Sequence, residues 1–296
     1  MSTQIHAPLA APSRARRSGL RDFAERFVMQ PVALVAAITL GLIVVAALAA
    51  PVLMPYDPDI TNLRMSLRPP GTEGHLLGTD ELGRDVLSRL LSGARVSLLA
   101  ALQGTGLSLA IGVPLGLIAG YFAGRVDRVI MFFNDALMSF PAMLLAMAIA
   151  GILKPSLTNA MIAIGIITAP RALRLVRAST LTVREATYIE AARSIGAGHG
   201  AIIWRHVLPN VMAPLIVLAM ILAGTVMLME AGLSFLGLGV QSPQSSWGSM
   251  LGGAFNQVTR APWLATFPGI CIAVTVLALN LVGDGMRDAF GKKTRG

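Results

Sequence analysis

Charge is scarce in this chain. Only 13% of its 296 residues are Asp, Glu, Lys or Arg, against about 25% in an ordinary soluble domain. A water-facing globular surface cannot be built from so few charges. Cysteine is nearly absent too. The single Cys271 excludes an intrachain disulfide and, lying in an apolar run, reads as a small buried hydrophobe. No nucleotide-binding loop is present: the nearest candidate, Gly285 to Lys292, has five residues between its glycines and Lys293 where Ser or Thr belongs. This chain therefore does not hydrolyse ATP. Neither G-x-S-x-G nor H-E-x-x-H occurs. His199 and His206 are seven apart with no Cys or carboxylate to complete a metal site, so they read as solvated loop histidines. No internal repeat is evident.

What the chain has in quantity is apolar residues, 54% of the total, with mean hydropathy +0.68. Six apolar runs fall at about 32–53, 95–120, 129–152, 157–176, 210–236 and 264–283, each near the ~20 residues that span hydrocarbon. The expectation is an all-α membrane protein with six transmembrane helices. Ala47-Leu48-Ala49 resembles a signal-peptide cleavage box, but its apolar region is too long for a typical h-region of about 7–15 residues. We therefore expect an uncleaved first span.

The net charge of +9 could point to nucleic acid, but the basic residues cluster in short segments beside apolar runs. With six spans, both termini share one side. Of the 24 Lys and Arg residues, 17 fall in segments on that side and seven on the other. The positive-inside rule then makes residues 1–31 a cytoplasmic tail with Arg14, Arg16, Arg17, Arg21 and Arg26. Its start is expected to be disordered. Residues 54–94 become extracytoplasmic, 177–209 a cytoplasmic loop, and 285–296 a cytoplasmic tail. In the outer segment, the sequence from Leu76 onward predicts a capped amphipathic helix at the membrane surface. Asp80, Arg84, Asp85 and Arg89 there read as structural rather than catalytic, since no His joins them. The stretch 240–262 predicts a re-entrant or short surface helix, with Trp247 and Trp263 in an interfacial belt.

Two features mark the spans. Gly104, Ser108, Gly112, Gly116, Gly120 and Gly124 recur every fourth residue, a face on which helices pack closely in lipid. Pro114 lies among them and predicts a kink. Asp135 and Glu230 fall inside apolar runs. A charge at mid-span costs about 3 kcal/mol, so each should face protein or water. Both fit a proton relay or a substrate contact, and both fit a structural role. For Glu230 the structural role is favoured, because Leu233 to Gly239 (LSFLGLG) breaks the helix and frees backbone N–H groups.

The most informative loop is Thr182 to Pro209. Thr182 and Glu185 fit a capping box that would start a helix. Tyr188, Ala191, Ala192 and Ile195 would form its apolar stripe, Glu190 and Arg193 could pair, and Gly196 and Gly198 would stop it. Pro209 suits the first turn of the next helix.

Glu190-Ala191-Ala192, three residues, Gly196, nine residues, then His206-Val207-Leu208-Pro209 resembles the EAA loop of binding-protein-dependent ABC import permeases. His206 departs from the general Ile and resembles the dipeptide/oligopeptide/nickel branch. GTDELGRDVLSR, LSFLGLG with Glu230, and Gly283 to Asp288 (GDGMRD) resemble that branch in order.

The resemblance implies a type I importer permease core over 95–284. Its site residues would be Glu190, Ala191, Ala192, Arg193, Gly196, Leu208 and Pro209, which couple the pore to an ATPase. The implied partners are a second homologous permease subunit, two ATP-binding subunits that hold ATP and Mg, and an extracytoplasmic solute-binding protein. No cofactor, metal or nucleic acid is expected on this chain. The solute stays open among dipeptides, longer peptides, glutathione and nickel chelates. Two rivals from other classes also stay open: a proton-coupled transporter or a membrane-embedded enzyme using Asp135 and Glu230.

Overall fold

The structure, a computed structural model, describes residues 19–291. The sequence expectation for Arg14, Arg16, Arg17 and the start of the tail lies outside the described residues. So do residues 292–296 of the other tail.

The described chain is helical. A short α1 (Gly19–Val28) leads into α2 (Pro31–Leu48) and its one-turn extension α3 (Ala50–Leu53). An irregular segment follows, and then α4 (Val86–Phe122), α5 (Gly124–Met138), α6 (Ala142–Leu153) and α7 (Leu157–Arg184). The loop elements α8 (Thr187–Ser194) and α9 (His199–Ile202) pass through a π-helical turn, Ile203–Val207, into α10 (Leu208–Phe235). The chain ends with α11 (Trp247–Ala254) and α12 (Trp263–Gly291). Among the described residues, five helical stretches are long and apolar enough to cross a membrane. The apolar run expected as a single span over 129–152 is instead part of a broken pair. Helices α5 and α6 meet at 89°, and they make the sixth crossing when taken as one span. The break follows from Pro141, which disfavours helical backbone in the residue before it.

The bundle is organised on α4 and α7, and the four-residue stripe explains why. A Cβ on Gly112 would lie 2.7 Å from the Ala169 carbonyl oxygen, and one on Gly116 would lie 2.7 Å from that of Leu173. Thr180 faces Gly120 in the same way. In lipid, helices gain little from apolar burial against each other, so such close backbone approach supplies the packing energy. The stripe ends before Gly124, which has open space around it and starts α5. Helix α4 runs without interruption through Pro114, which faces outward. At the other end of the chain, α12 sits on α2: a Cβ on Gly285 would lie 2.3 Å from the Ala33 Cβ, and Gln30 donates to the Gly285 carbonyl at 3.3 Å.

The expected amphipathic surface helix after Leu76 does not form as a separate element. Residues 76–85 are turns, and the helical pattern beyond them is the first part of α4 itself. Asp85 caps that helix, accepting from the Ser88 N–H at 2.8 Å. Arg84 and Arg89 both reach the Asp80 carboxylate, at 2.7 and 3.4 Å. A histidine does join this group: His75 Nδ1 lies 2.9 Å from Asp85 Oδ1. The cluster nonetheless acts as a brace, because its members close the irregular segment before α4 onto the start of that helix. The same layer takes in α11. Ser246 and Ser249 form its capping box, and Trp247 is buried with its indole N–H donating to the Leu90 carbonyl at 3.0 Å. Trp247 is therefore a core residue of this layer rather than part of an interfacial belt.

Candidate coupling site

The loop after α7 is built differently from its local sequence signals. Thr182 does not start a helix. Helix α7 continues through it to Arg184, and the Thr182 hydroxyl donates back to the Ala178 carbonyl at 3.2 Å. Helix α8 begins two residues after Glu185, with Ala186 as an N-cap that offers no side-chain bond. Tertiary contact decides the boundary: Thr180 packs on Gly120, and Arg184 donates to the Tyr121 carbonyl at 3.1 Å. The last turn of α7 is thus held against the end of α4.

The apolar stripe is also rotated from the one expected. Ile189 and Ala192 turn inward. They join Leu117, Tyr121, Val176, Val207 and Val211 in one buried cluster. Tyr188, Ala191 and Ile195 turn outward, with Ile195 85% exposed. Trp204, in the π-helical turn, is 69% exposed. Glu190 and Arg193 are exposed and form no ion pair with each other. Instead the Arg193 guanidinium lies over the Tyr121 ring, 5.3 Å from its centre. Tyr121 also bonds His199 Nδ1 at 2.9 Å, so His199 is tied to the bundle rather than simply solvated. Tyr121 is the residue the sequence reading missed. Its only signal is position, a tyrosine at the end of an apolar run, where amphipathic rings are enriched.

Gly196 ends α8 as expected. Its φ of +82° is left-handed. Its N–H bonds to the Arg193 carbonyl at 2.9 Å, and the Ala197 N–H bonds to that of Ala192 at 3.0 Å. This pair of bonds is the Schellman arrangement, and the left-handed position in it suits glycine. Leu208 and Pro209 form the first turn of α10, where proline loses no helical bond. The loop thus presents a short knuckle whose exposed face carries Tyr188, Ala191 and Ile195 beside Glu190 and Arg193, and whose buried Ile189 and Ala192 pack with α4, α7 and α10.

The two intramembrane carboxylates are not brought together. Asp135 pairs with Arg174 at 2.7 Å. Arg171 and Arg174, counted with the loop in the charge tally, lie well inside α7. Glu230 is 1% exposed and accepts the Ser234 hydroxyl at 2.6 Å. That hydroxyl in turn accepts the Val240 N–H at 3.2 Å. Glu230 thus serves the broken backbone after α10 indirectly, through Ser234. Glu230→Gln keeps an acceptor for the Ser234 hydroxyl and removes the ionisable group. We expect a wild-type level in the membrane and an unchanged or higher melting temperature in detergent. Glu230→Leu leaves the Ser234 hydroxyl without its acceptor and should cost about 1–3 kcal/mol of stability.

The bundle defines a class: a helical protein with several spans long and apolar enough to cross a membrane and, among the described residues, no group of three or more His, Cys, Asp or Glu that could hold a metal ion. Residues 112–296 match the family described as binding-protein-dependent transport system inner membrane component. Residues 18–70 match the N-terminal TM domain of oligopeptide transport permease C. The chain belongs to the binding-protein-dependent inner membrane component family and is a multi-pass permease subunit of a bacterial ABC importer, not an enzyme.

It is 44% identical to the di/tripeptide transport system permease protein DppC of Pseudomonas aeruginosa, over 100% of this chain and 99% of that one. It is 42% identical to the glutathione transport system permease protein GsiD of Pectobacterium atrosepticum, over 94% of this chain and 93% of that one. The fold is also that of a solved permease, in inward-facing conformations of the MetNI methionine ABC transporter. That match has TM-score 0.58 and 19% identity, covering 69% of this chain and 97% of the other. Family membership removes the two rivals read from Asp135 and Glu230.

Proposed function

We propose that this subunit forms half of a pore for peptides and that α8 is where ATP-driven motion enters it. The observation that carries this reading is the exposure of Tyr188, Ala191 and Ile195, with Trp204 exposed in the π-helical turn that follows, on a short helix anchored in the bundle by the buried Ile189 and Ala192. A lone soluble loop would not hold large apolar groups in water on so rigid a base. The relatives' printed solutes, di/tripeptides and glutathione, are peptides or peptide-like, and this supports a peptide solute here.

On this reading a second, homologous permease subunit completes the pore. Two ATP-binding subunits hold ATP and Mg, and one of them grips α8 through Glu190, Ala191, Arg193 and Ile195. Gly196 fixes the end of the knuckle, while Ala192, Leu208 and Pro209 tie it to the bundle. An extracytoplasmic binding protein delivers solute to the face containing residues 54–94 and α11. Closure of the ATPases displaces α8. The motion passes through Ile189 and Ala192 to the ends of α4, α7 and α10, and the pore alternates between its two openings. The termini and α8 lie in the cytoplasm, as the Lys and Arg distribution supports.

The test is reconstitution. Co-expressed with its candidate ATPase subunits, the chain should co-purify with them and take up peptide only with ATP and the loaded binding protein. An Ile195→Cys variant in a Cys271→Ala background should react with an impermeant thiol reagent only in opened or inverted membranes. Labelling from outside intact cells, or uptake by the isolated chain, would overturn the proposal.

A further inference from the structure

A second site lies away from α8, at the break between α5 and α6. Asp135 and Arg174 form an ion pair at 2.7 Å, yet their side chains are 58% and 47% exposed. Residues 139–141, where the backbone leaves the helix, are all exposed, and Phe140 projects from the break.

The depth of this site makes its exposure informative. Helices α5 and α7 both reach the coupling end of the bundle. Phe122, just before α5, lies against the His199 ring, and Arg184 at the end of α7 bonds Tyr121. Asp135 is 11 residues from Gly124, so it sits about 16 Å along the helix. Arg174 is 10 residues from Arg184, about 15 Å along its own. Arg174 also lies 17 residues, about 26 Å, from the other end of α7 at Leu157, so the pair sits between the ends of spans long enough to cross a hydrocarbon layer about 30 Å thick. Lipid cannot cover a charged pair there, nor can it cover non-helical backbone, whose polar groups need water or protein. Polar groups beside a discontinuous helix at mid-depth are the arrangement that membrane proteins use to hold a solute in transit.

The second ion pair on these helices provides the contrast. Arg177 grips Asp127 with two nitrogens, Nη2 lying 2.6 Å from Oδ2, nearer the coupling end and largely shielded. It reads as a clamp between α5 and α7. Asp135 and Arg174 are joined by a single close contact and are open to the outside. Exposed pairs of this kind hold weakly and separate readily when other charges are offered.

We propose that Asp135 and Arg174 line the aqueous translocation path and receive the charged termini of a passing peptide. The Asp135 carboxylate takes the terminal ammonium, and the Arg174 guanidinium takes the terminal carboxylate. A zwitterion supplies both charges that the pair gives up on opening, so solute replaces the internal partner without leaving a lone charge within the span. This rests on the reading of the solute as a peptide.

The test uses the assembled importer, with ATPases and loaded binding protein, in proteoliposomes. In a Cys271→Ala background, Ser139→Cys should react with a charged methanethiosulfonate reagent in the nucleotide-free or the ATP-loaded state. Transported peptide should slow that reaction at least threefold. Asp135→Asn should lower the maximal uptake rate at least tenfold while the complex assembles in wild-type yield, and Asp135→Glu should recover half or more of the rate. No labelling in either state would place the break under a neighbouring subunit and overturn the proposal. Labelling indifferent to peptide, or wild-type uptake by Asp135→Asn, would overturn it equally. Should Asp135→Asn fail to assemble, the labelling and its protection still decide. If the unmodified complex moves no peptide at all, the solute assignment has failed instead.

Discussion

Gly196→Asp is expected to leave the subunit inserted at its normal level and to lower peptide uptake at least tenfold. A Cβ at this position meets nothing within 4 Å in this chain, so the bundle has no steric reason to reject the change. The left-handed φ of +82° costs a non-glycine residue about 1–2 kcal/mol, somewhat less for Asp or Asn. That strain falls on the end of α8, beside the exposed Ile195. The larger effect comes from the new carboxylate, which would project where the ATPase is proposed to sit. Leaving a charge unpaired in an interface costs about 3 kcal/mol, on the order of a hundredfold in docking affinity. Gly196→Asn separates the two causes, because it tolerates the same backbone without the charge and should retain most uptake. Uptake by membranes holding equal amounts of each variant, together with recovery of ATPase subunits on purification, reads both effects. Normal transport by Gly196→Asp would remove α8 from the coupling role.

Gly116→Val should act earlier, by preventing the subunit from accumulating. Its Cβ would lie 2.7 Å from the Leu173 carbonyl oxygen and 2.7 Å from the Val176 Cβ. A backbone oxygen cannot rotate aside as a side chain can, so α4 and α7 must separate. Overpacking of a core costs about 1–3 kcal/mol, and more where the obstacle is backbone. Because the contact repeats at Gly112 and Gly120, separating the helices weakens the whole stripe. Gly106→Val lies on the same helix with nothing within 4 Å of its Cβ and should accumulate normally. Immunoblots of membrane fractions and thermal shifts in detergent compare the two. Equal accumulation would show that the stripe is dispensable.

The contrast between these glycines shows how far the sequence could be read. The four-residue repeat pointed to a packing face, and the structure places Gly112, Gly116 and Gly120 of that face on α7 and Gly104 against Val226 of α10. The repeat could not say which helix it meets, since lipid-embedded helices carry no complementary pattern to mark their partner. Likewise Gly196 was legible as a helix stop, because a left-handed terminus is a local property of one residue and its neighbours. The start of α8 was not legible: the Thr182–Glu185 signal is genuine local chemistry, but contacts at Gly120 and Tyr121 carry α7 through it. The break before Pro141 also escaped, because the apolar run around it has the length and composition of one ordinary span.

Composition, run length and charge placement by themselves determined a polytopic helical membrane protein, and the spacing of Glu190, Ala191, Ala192 and Gly196 marked its loop of greatest interest. These are properties of the chain against water and lipid, which every residue meets before any tertiary contact forms. Only the packed structure decided which side of α8 is outward, that Tyr121 stands beneath Arg193 and His199, and that Asp135 meets Arg174 rather than Glu230. Those outcomes depend on how separate helices rotate and settle against each other, and the energy that chooses among rotations comes from contacts between residues far apart in the chain.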